Sequence, residues 1–257
     1  MFLNQNKASG EVRIDLNCDM GESFGRYSLG NNESIMPFIT SANIACGLHA
    51  GDPLVIGQTV RLAKQYGVAV GAHPGWPDLQ GFGRREMSLT PDEAEAFVLY
   101  QIGALAAFAK AEGMELHHVK PHGALYNQAV NDRNLAKAIA GAVKKFSRDL
   151  VLVGLAGSGL IEAGIEAGLG VANEGFPDRN YNSDGTLISR KQADAIIESP
   201  EEVAANAIRL AHKGIDFSGR RIRIDTLCLH GDNPHAAQNA KLVHDALEKA
   251  GIQIAAP

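Results

Sequence analysis

The chain has 257 residues, of which 45% are hydrophobic and 21% are charged, and its formal net charge is -5. This composition is typical of a folded globular protein, and it argues against a disordered chain and against a nucleic-acid binder, which would usually carry a basic face. No apolar run approaches the roughly 20 residues that cross a bilayer, and residues 1–13 lack the pattern of a signal peptide. The three separate cysteines, Cys18, Cys46 and Cys228, do not suggest a disulfide framework and favour a reducing, cytoplasmic location.

Short apolar runs alternate with helical stretches along the chain, with no linker or low-complexity tract between them. The predicted strands are 12–17, 40–45, 68–72, 116–120, 150–155, 170–174 and 225–229. The predicted helices are 32–38, 53–66, 91–112, 132–147, 158–168, 200–213 and 234–250. Such alternation is typical of repeated strand–helix–strand units with a parallel sheet. Seven strands predict an irregular (β/α) barrel formed by one domain over 1–257, and a doubly wound open sheet is the alternative.

The first predicted strand carries a polar row that comprises Arg13, Asp15, Asn17 and Asp19. Side chains alternate along a strand, so these four share one face. In a parallel barrel both faces of a strand are covered, and the row would point into the interior. Buried carboxylates are costly unless they are paired, hydrogen-bonded or bound to metal. Asp15, Asn17 and Asp19 are therefore candidate site residues, unless the strand is half exposed with one solvated face.

Four predicted strands are followed within four residues by a histidine, namely His49, His73, His122 and His230. Lys120 lies two residues before His122, at the same strand end. The active site of an α/β barrel forms at the C-terminal ends of its strands. A single histidine in such a position is more often structural than catalytic. Four of them at equivalent positions predict a shared site.

Polar residues around the strand ends complete the predicted site. The adjacent Arg84 and Arg85 are expected to clamp a carboxylate or phosphate, although a solvated charge pair is the alternative. Asn233 occupies the N-cap position of the next helix, which leaves Asp232 available for the site. The other candidates for substrate contacts are Asn43, Glu174 and Arg179.

This combination of Asp, His and Lys suits general acid–base activation of water or metal-assisted hydrolysis. The candidate ligands for a divalent metal ion are Asp15, Asp19, His49 and His73, although no compact metal-binding motif is present. Lys120 is expected to stabilise a developing oxyanion. The residues alone predict a hydrolase that acts on a small, polar, anionic substrate.

Six segments, in family order and spread over nearly the whole chain, resemble the LamB/YcsF family. They are DLNCDMGESFG (15–25), SANIACGLHAGDP (41–53), GAHPGWPDLQGFGRR (71–85), VKPHGALYN (119–127), DRNY (178–181) and LHGD (229–232). Several are long and rich in His, Gly and Pro, so chance similarity does not explain them. The resemblance implies a barrel related to metal-dependent polysaccharide deacetylases.

The resemblance also implies a reaction, because the family provides the A subunit of the ATP-dependent 5-oxoprolinase. In this reaction 5-oxo-L-proline is hydrolysed to L-glutamate while ATP is hydrolysed to ADP and phosphate, and subunits B and C are the partners. A lactam is a stabilised amide whose ring recloses readily, and phosphorylation of the amide oxygen would give water a better electrophile. The sequence contains no phosphate-binding P-loop motif, so we expect the partners to share or supply the ATP site.

On this hypothesis the candidate residues divide into three roles. The group that activates the attacking water is one of Asp19, His49 and His122. Lys120 and His230 stabilise charge at the ring carbonyl. One of the arginines Arg84, Arg85 and Arg179 holds a carboxylate or phosphate. Two rival hypotheses are a metal-dependent carbohydrate deacetylase and a non-catalytic binding subunit that supports its partners.

Overall fold

The computed structural model describes residues 12–188, 192–217, 219–229 and 236–257. Within these residues the strands are β1 (Arg13–Met20), β2 (Ser41–Ala45), β3 (Ala69–His73), β4 (His118–Val119), β5 (Val151–Leu155), β6 (Gly170–Gly175), β7 (Ile215–Phe217), β8 (Arg220–Ile222), β9 (Thr226–Leu229) and β10 (Gln253–Ile254). Each of β1 to β5 pairs in parallel with the next strand, and β9 pairs in parallel with both β6 and β1. The sheet therefore closes into a barrel of seven parallel strands, as predicted, and the open-sheet alternative is wrong.

Helices connect the barrel strands and cover the outside of the barrel. In the same residues they are α1 (Asn32–Ile35), α2 (Pro53–Tyr66), α3 (Pro91–Ala111), α4 (Gly123–Ala129), α5 (Arg133–Phe146), α6 (Gly159–Ala167), α7 (Pro200–Lys213) and α8 (Ala236–Lys249). A short 3-10 helix, Met36–Phe38, continues α1 where one helix was predicted. The sequence analysis missed α4, which begins at a glycine and has no side-chain cap, and the short strands β7, β8 and β10.

The first strand is buried on both faces, so the alternative of a half-exposed strand is wrong. Its apolar residues Ile14 and Leu16 are no more than 1% exposed and belong to the hydrophobic core. Asp15 and Asn17, on the opposite face, are each only 2% exposed. The barrel therefore encloses Asp15 and Asn17 of the polar row, whereas Arg13 at the start of the strand is exposed. Each buried group of the row needs a partner inside the barrel.

Helix α3 is long and apolar enough to cross a membrane by length and composition alone, with a mean hydropathy of 1.2 over 18 residues. It begins at a capping box formed by Thr90 and Glu93, and it packs against β3 and α5. Val98, Ile102 and Leu105 on its inner face are fully buried in the core. These contacts are those of a helix in the outer layer of the barrel.

Candidate functional site

A cavity of about 570 Å³ opens at the C-terminal ends of the barrel strands. The predicted site residues that line it are Asp19, His73, Arg84, Lys120, His122 and Arg179. Asp19 comes from the end of β1, His73 ends β3, and Lys120 directly follows β4. Parallel strands point their C-terminal ends to one side of the barrel, which is why residues far apart in sequence meet there.

The Lys120 ammonium group lies at the centre of the polar interior. Its Nζ is 2.9 Å from Asp19 Oδ1 and 2.9 Å from Glu174 Oε1. It also donates to Asn17 Oδ1 at 3.1 Å and to Cys228 Sγ at 3.0 Å. The residue is only 3% exposed, so one buried cation is shared between two carboxylates. A buried charge with this many partners is fixed in position and is well placed for electrostatic catalysis.

Glu174 contacts the Lys120 ammonium group and is itself held by hydrogen bonds from two neighbouring side chains. Glu174 is fully buried, and its second oxygen, Oε2, accepts a hydrogen bond from the Tyr126 hydroxyl at 2.7 Å. Asn17 Nδ2 donates to Glu174 Oε1 at 3.0 Å. Burial, together with Glu174, raises the pKa of Tyr126 well above its usual value, so the phenol keeps its proton and donates. Sequence analysis missed Tyr126, since a tyrosine on a short helix gives no local signal of a polar partner.

Asn43 forms hydrogen bonds that connect Asp19 to His118 inside the barrel. Its Nδ2 donates to Asp19 Oδ1 at 2.9 Å and to Asn17 Oδ1 at 2.7 Å. Its Oδ1 lies 2.8 Å from His118 Nε2, which therefore carries the hydrogen. Burial lowers the pKa of His118 to about 3, so its imidazole is neutral at neutral pH. Asn17 and Asn43 thus hold the charged groups in place.

Asp19 and Lys120 keep opposite charges, although Lys120 is buried and Asp19 is only partly exposed. Burial opposes ionisation of Asp19, but His73 and Lys120 outweigh it and hold the pKa of Asp19 well below its usual value of 3.8. Burial also opposes charge on Lys120, but Asp19 and the other acceptors raise the pKa of Lys120 well above 10.5. The Asp19 side chain is 17% exposed, so its carboxylate also faces the cavity.

Three of the predicted histidines lie together beside this ion pair. His73 Nε2 is 3.3 Å from Asp19 Oδ2 and 3.0 Å from His122 Nδ1. The ring of His49 stacks on that of His122, with centroids 3.9 Å apart and an angle of 6° between the planes. Burial lowers the pKa of His122 to about 3 and the pKa of His49 well below 6.5, so both rings are neutral at neutral pH.

The backbone of the loop that follows β3 lies against the rings of His49 and His122. The Phe82 carbonyl lies 2.8 Å from His122 Nε2. Phe82 has φ +55, which makes it the sole non-glycine residue with positive φ in the described ranges. A positive φ is costly for an aromatic residue, and such strain is typical of functional sites. The sequence pattern GFGRR does not reveal it, because strain of this kind depends on packing.

Asp15 and Arg85, which were predicted as site residues, do not line the cavity. Asp15 does not belong with the other predicted metal ligands, because it lies four residues before Asp19 on β1, about 13 Å along a strand. Its carboxylate accepts hydrogen bonds from the hydroxyls of Thr40, Ser41 and Thr226. These bonds explain how the buried Asp15 carboxyl is satisfied without a metal ion.

Arg85 pairs with the buried Asp78, with its Nε 3.0 Å from Asp78 Oδ1, and it does not line the cavity. The predicted clamp of adjacent arginines is therefore divided, because Arg84 alone faces the cavity and lies over the Phe82 ring. Arg179 also lines the cavity. Its guanidinium donates to the carbonyls of Ala195 and Ile188 and so ties the backbone at both residues to the cavity wall. His230 and Asp232 lie outside the described residues.

None of the three cysteines forms a disulfide. Cys18, Cys46 and Cys228 all carry buried thiols that belong to no disulfide. Burial raises the pKa of Cys228 well above its usual value, so its thiol stays protonated while its sulfur accepts from Lys120. This arrangement makes Cys228 a neutral contact in the cation site, unlike a reactive thiolate.

Known proteins share both the sequence and the fold. The model of the LamB/YcsF family matches residues 14–257. The A subunit of the Pyrococcus horikoshii 5-oxoprolinase is 53% identical over 247 residues, which cover 95% of this chain and 97% of that protein. The protein of the same name from Methylococcus capsulatus is 55% identical over 247 residues and 95% of both chains. A lactam utilization protein from Thermus thermophilus has a crystal structure similar to this one, with a TM-score of 0.89 and 51% identity over 95% of this chain and 100% of that chain. The chain belongs to the LamB/YcsF family.

Proposed function

We propose that this chain is the A subunit of an ATP-dependent 5-oxoprolinase. The reaction opens the lactam of 5-oxo-L-proline with water to give L-glutamate, and ATP is hydrolysed to ADP and phosphate. The names of relatives more than 50% identical over 95% of the chain support this proposal. The observation that carries it is the Asp19–Lys120 ion pair, which faces a cavity large enough for such a substrate.

The charges around the cavity suit attack of water on a lactam carbonyl. Asp19 is ionised and partly exposed, so it can accept a hydrogen bond from the attacking water and orient it. The same Asp19 carboxylate is the group that we assign to take the proton that this water loses. Lys120 provides fixed positive charge close to the oxyanion that develops at the carbonyl. The ring nitrogen then leaves as the amine of glutamate and takes up a proton. The phosphoryl group carried by the activated carbonyl oxygen is released as phosphate when a second water hydrolyses the resulting acyl phosphate.

The cavity also suits the anionic part of the substrate. Arg84 lines its wall, and its guanidinium lies 5.0 Å from the centre of the Phe82 ring. A guanidinium so placed is suited to the carboxylate of 5-oxoproline or to a phosphoryl group on the activated lactam. His49 does not line the cavity and lies behind His122, so we assign it no contact with the substrate.

We assign the nucleotide chemistry to an assembly with subunits B and C in the cytoplasm. The sequence has no P-loop motif, and Gly75 and Gly83 in the loop after β3 serve the close approach of the backbone to the histidines. On this proposal the partners bind ATP and activate the lactam, and this barrel supplies the water-attack site. The chain alone then has low activity toward 5-oxoproline.

A reconstitution assay tests the proposal. The purified chain, alone and with subunits B and C, is given 5-oxoproline and ATP, and glutamate and phosphate are measured. We expect turnover only in the full assembly and a loss of at least about 100-fold with Asp19→Asn, the size of effect typical of removing a general acid–base or charge-stabilising group. Lys241→Met, a change at an exposed ion pair on α8, is the matched control.

The same assay separates the rival functions. A non-catalytic binding subunit predicts that the assembly containing Asp19→Asn keeps full turnover. A carbohydrate deacetylase predicts acetate release from acetylated sugars by the chain alone and no glutamate in any mixture. Either result would remove the lactam assignment.

A further inference from the structure

The three clustered histidines and Glu22 form a second group of polar side chains beside the ion pair. Each of Glu22, His49, His73 and His122 offers one ligand atom, and these atoms all lie within 4.8 Å of one another. All four residues are buried, at 1–7% exposure. Glu22 follows β1, and its carboxylate Oε1 is 3.8 Å from His122 Nδ1. The predicted metal set included two of these residues and omitted Glu22 and His122.

His73 and His122 are each anchored through one ring nitrogen. His73 Nδ1 lies 2.7 Å from the Lys120 carbonyl, and His122 Nε2 lies 2.8 Å from the Phe82 carbonyl. A carbonyl oxygen only accepts, so these two nitrogens carry the hydrogens. The remaining nitrogens, His73 Nε2 and His122 Nδ1, are therefore the ring atoms that can face a ligand. Metal-binding histidines are usually held in this way, with the second nitrogen donating to a carbonyl.

The two remaining nitrogens face each other at 3.0 Å. Two lone pairs at this distance repel unless a cation or a proton lies between them. Asp19 Oδ2, 3.3 Å from His73 Nε2, and Glu22 add negative charge on the same side. The site therefore attracts a positive species, and its nitrogen donors favour a transition metal over a hard ion such as magnesium.

His49 provides an independent observation. The residue is 1% exposed, and neither ring nitrogen has a hydrogen-bond partner among the residues that the structure describes. A buried polar group without a partner is destabilising and is rare in folded proteins. No hydrogen bond fixes the ring, so rotation about its side-chain torsions can turn a nitrogen toward an ion held by His73 and His122.

Two glycines allow His49 and His122 to lie this close to the loop after β3. A Cβ at Gly75 would lie 2.5 Å from His49 Nδ1, and a Cβ at Gly83 would lie 2.8 Å from His49 Cβ and 2.9 Å from His122 Cδ2. Gly83 also has φ +63, a conformation that favours glycine. The absence of a Cβ at these two positions therefore lets the backbone pack directly against the imidazole rings, as expected when the rings have to lie close together to share a ligand.

We propose that Glu22, His49, His73 and His122 bind one divalent transition-metal ion of the Zn²⁺ class. Three imidazoles and one carboxylate are a donor set that suits Zn²⁺ and related ions. When bound, such an ion supplies a Lewis acid that lowers the pKa of a coordinated water. The catalytic meaning of the site rests on the proposed lactam hydrolysis, but metal binding itself does not.

Metal binding is measured on the full-length protein without reference to activity. The protein is stripped with a chelator, incubated with Zn²⁺ and desalted, and metal per chain is determined by mass spectrometry. We expect one equivalent in the unaltered protein and a loss of affinity greater than about 100-fold with His73→Gln or His122→Gln, since even residues that only orient ligands contribute 10–100-fold. His244→Gln is the matched control, because that histidine lies with Asp245 and Glu248 in a partly exposed cluster on α8.

X-ray absorption of the zinc-loaded unaltered protein gives a test that needs no variant to fold. We expect nitrogen and oxygen neighbours at about 2.0–2.1 Å with the multiple scattering of imidazole. A proton shared between His73 and His122 is the competing explanation, and it predicts no retained zinc. Absence of bound metal, or full retention in both His→Gln variants that remain folded by circular dichroism, would overturn the site. If the unaltered protein binds zinc but its assembly with subunits B and C does not hydrolyse 5-oxoproline, that result counts against the proposed function and leaves the metal site standing.

Discussion

Replacement of Lys120 by methionine is the most informative test of the polar interior. Methionine has a similar length but no charge, so the change leaves the buried Glu174 carboxylate and the partly exposed Asp19 carboxylate without their shared cation. Both lie 2.9 Å from Lys120 Nζ, and the Glu174 side chain is fully buried. Removal of one partner of a buried ion pair is costly because the remaining charge stays desolvated.

The expected loss in the free energy of unfolding is about 3–5 kcal/mol, the range measured when one partner of a buried pair is removed. For a chain of this size each kcal/mol lowers the Tm by about 2–4 °C, which gives a fall of roughly 6–20 °C. Lys241→Met removes an exposed lysine whose Nζ lies 2.6 Å from Asp245. This control is expected to change stability by no more than about 1 kcal/mol.

Urea and thermal unfolding, followed by circular dichroism, measure these differences. The double variant Lys120→Met with Glu174→Gln removes the cation together with one of the charges that it neutralises. Its cost is expected to be smaller than the sum of the two single costs by about 0.5–3 kcal/mol, because residues in one network are coupled. Additive costs, or a loss below about 1 kcal/mol in Lys120→Met, would refute a shared buried cation.

Three further predictions concern single contacts around the site. Tyr126→Phe removes the hydroxyl that donates to Glu174 Oε2, so we expect a loss of about 1.5–3 kcal/mol in urea unfolding, and an unchanged midpoint would contradict that bond. The pKa of His118 is lowered from 6.5 to about 3, so its stabilising effect is complete above pH 6.5 and is lost as the pH falls toward 3; unfolding free energies across this range should decline less steeply in His118→Gln. Gly71→Ala places a Cβ in collision with His118 Nε2 and should cost at least about 1–3 kcal/mol, whereas Gly170→Ala, which meets only ordinary contacts, should be tolerated; equal Tm values for the two variants would show that His118 is free to move.

The barrel class was accessible from sequence because it depends on local patterns. The alternation of apolar runs with helical stretches and the histidines directly after strand ends are features of neighbouring residues. The polar row on β1 predicted an enclosed interior, and Asp15 and Asn17 are indeed buried. The prediction of one domain over residues 1–257 stays a prediction, as do the roles of His230 and Asp232, which lie outside the described residues.

Only the tertiary structure decided which polar residues face one another. Arg84 and Arg85 look equivalent in sequence, yet Asp78 binds Arg85 away from the cavity and Arg84 lines it. Lys120 contacts Asp19 across 101 residues of sequence, and Asn17 contacts Thr226 across 209, so no local window contains both partners. The contacts of Glu22 with His122 and of Tyr126 with Glu174 form because the barrel closes, which sets the relative position of every strand end. Sequence by itself determined the strands and the residues available at their ends, and closure of the barrel determined the distances between them, because each distance depends on all of the strands at once.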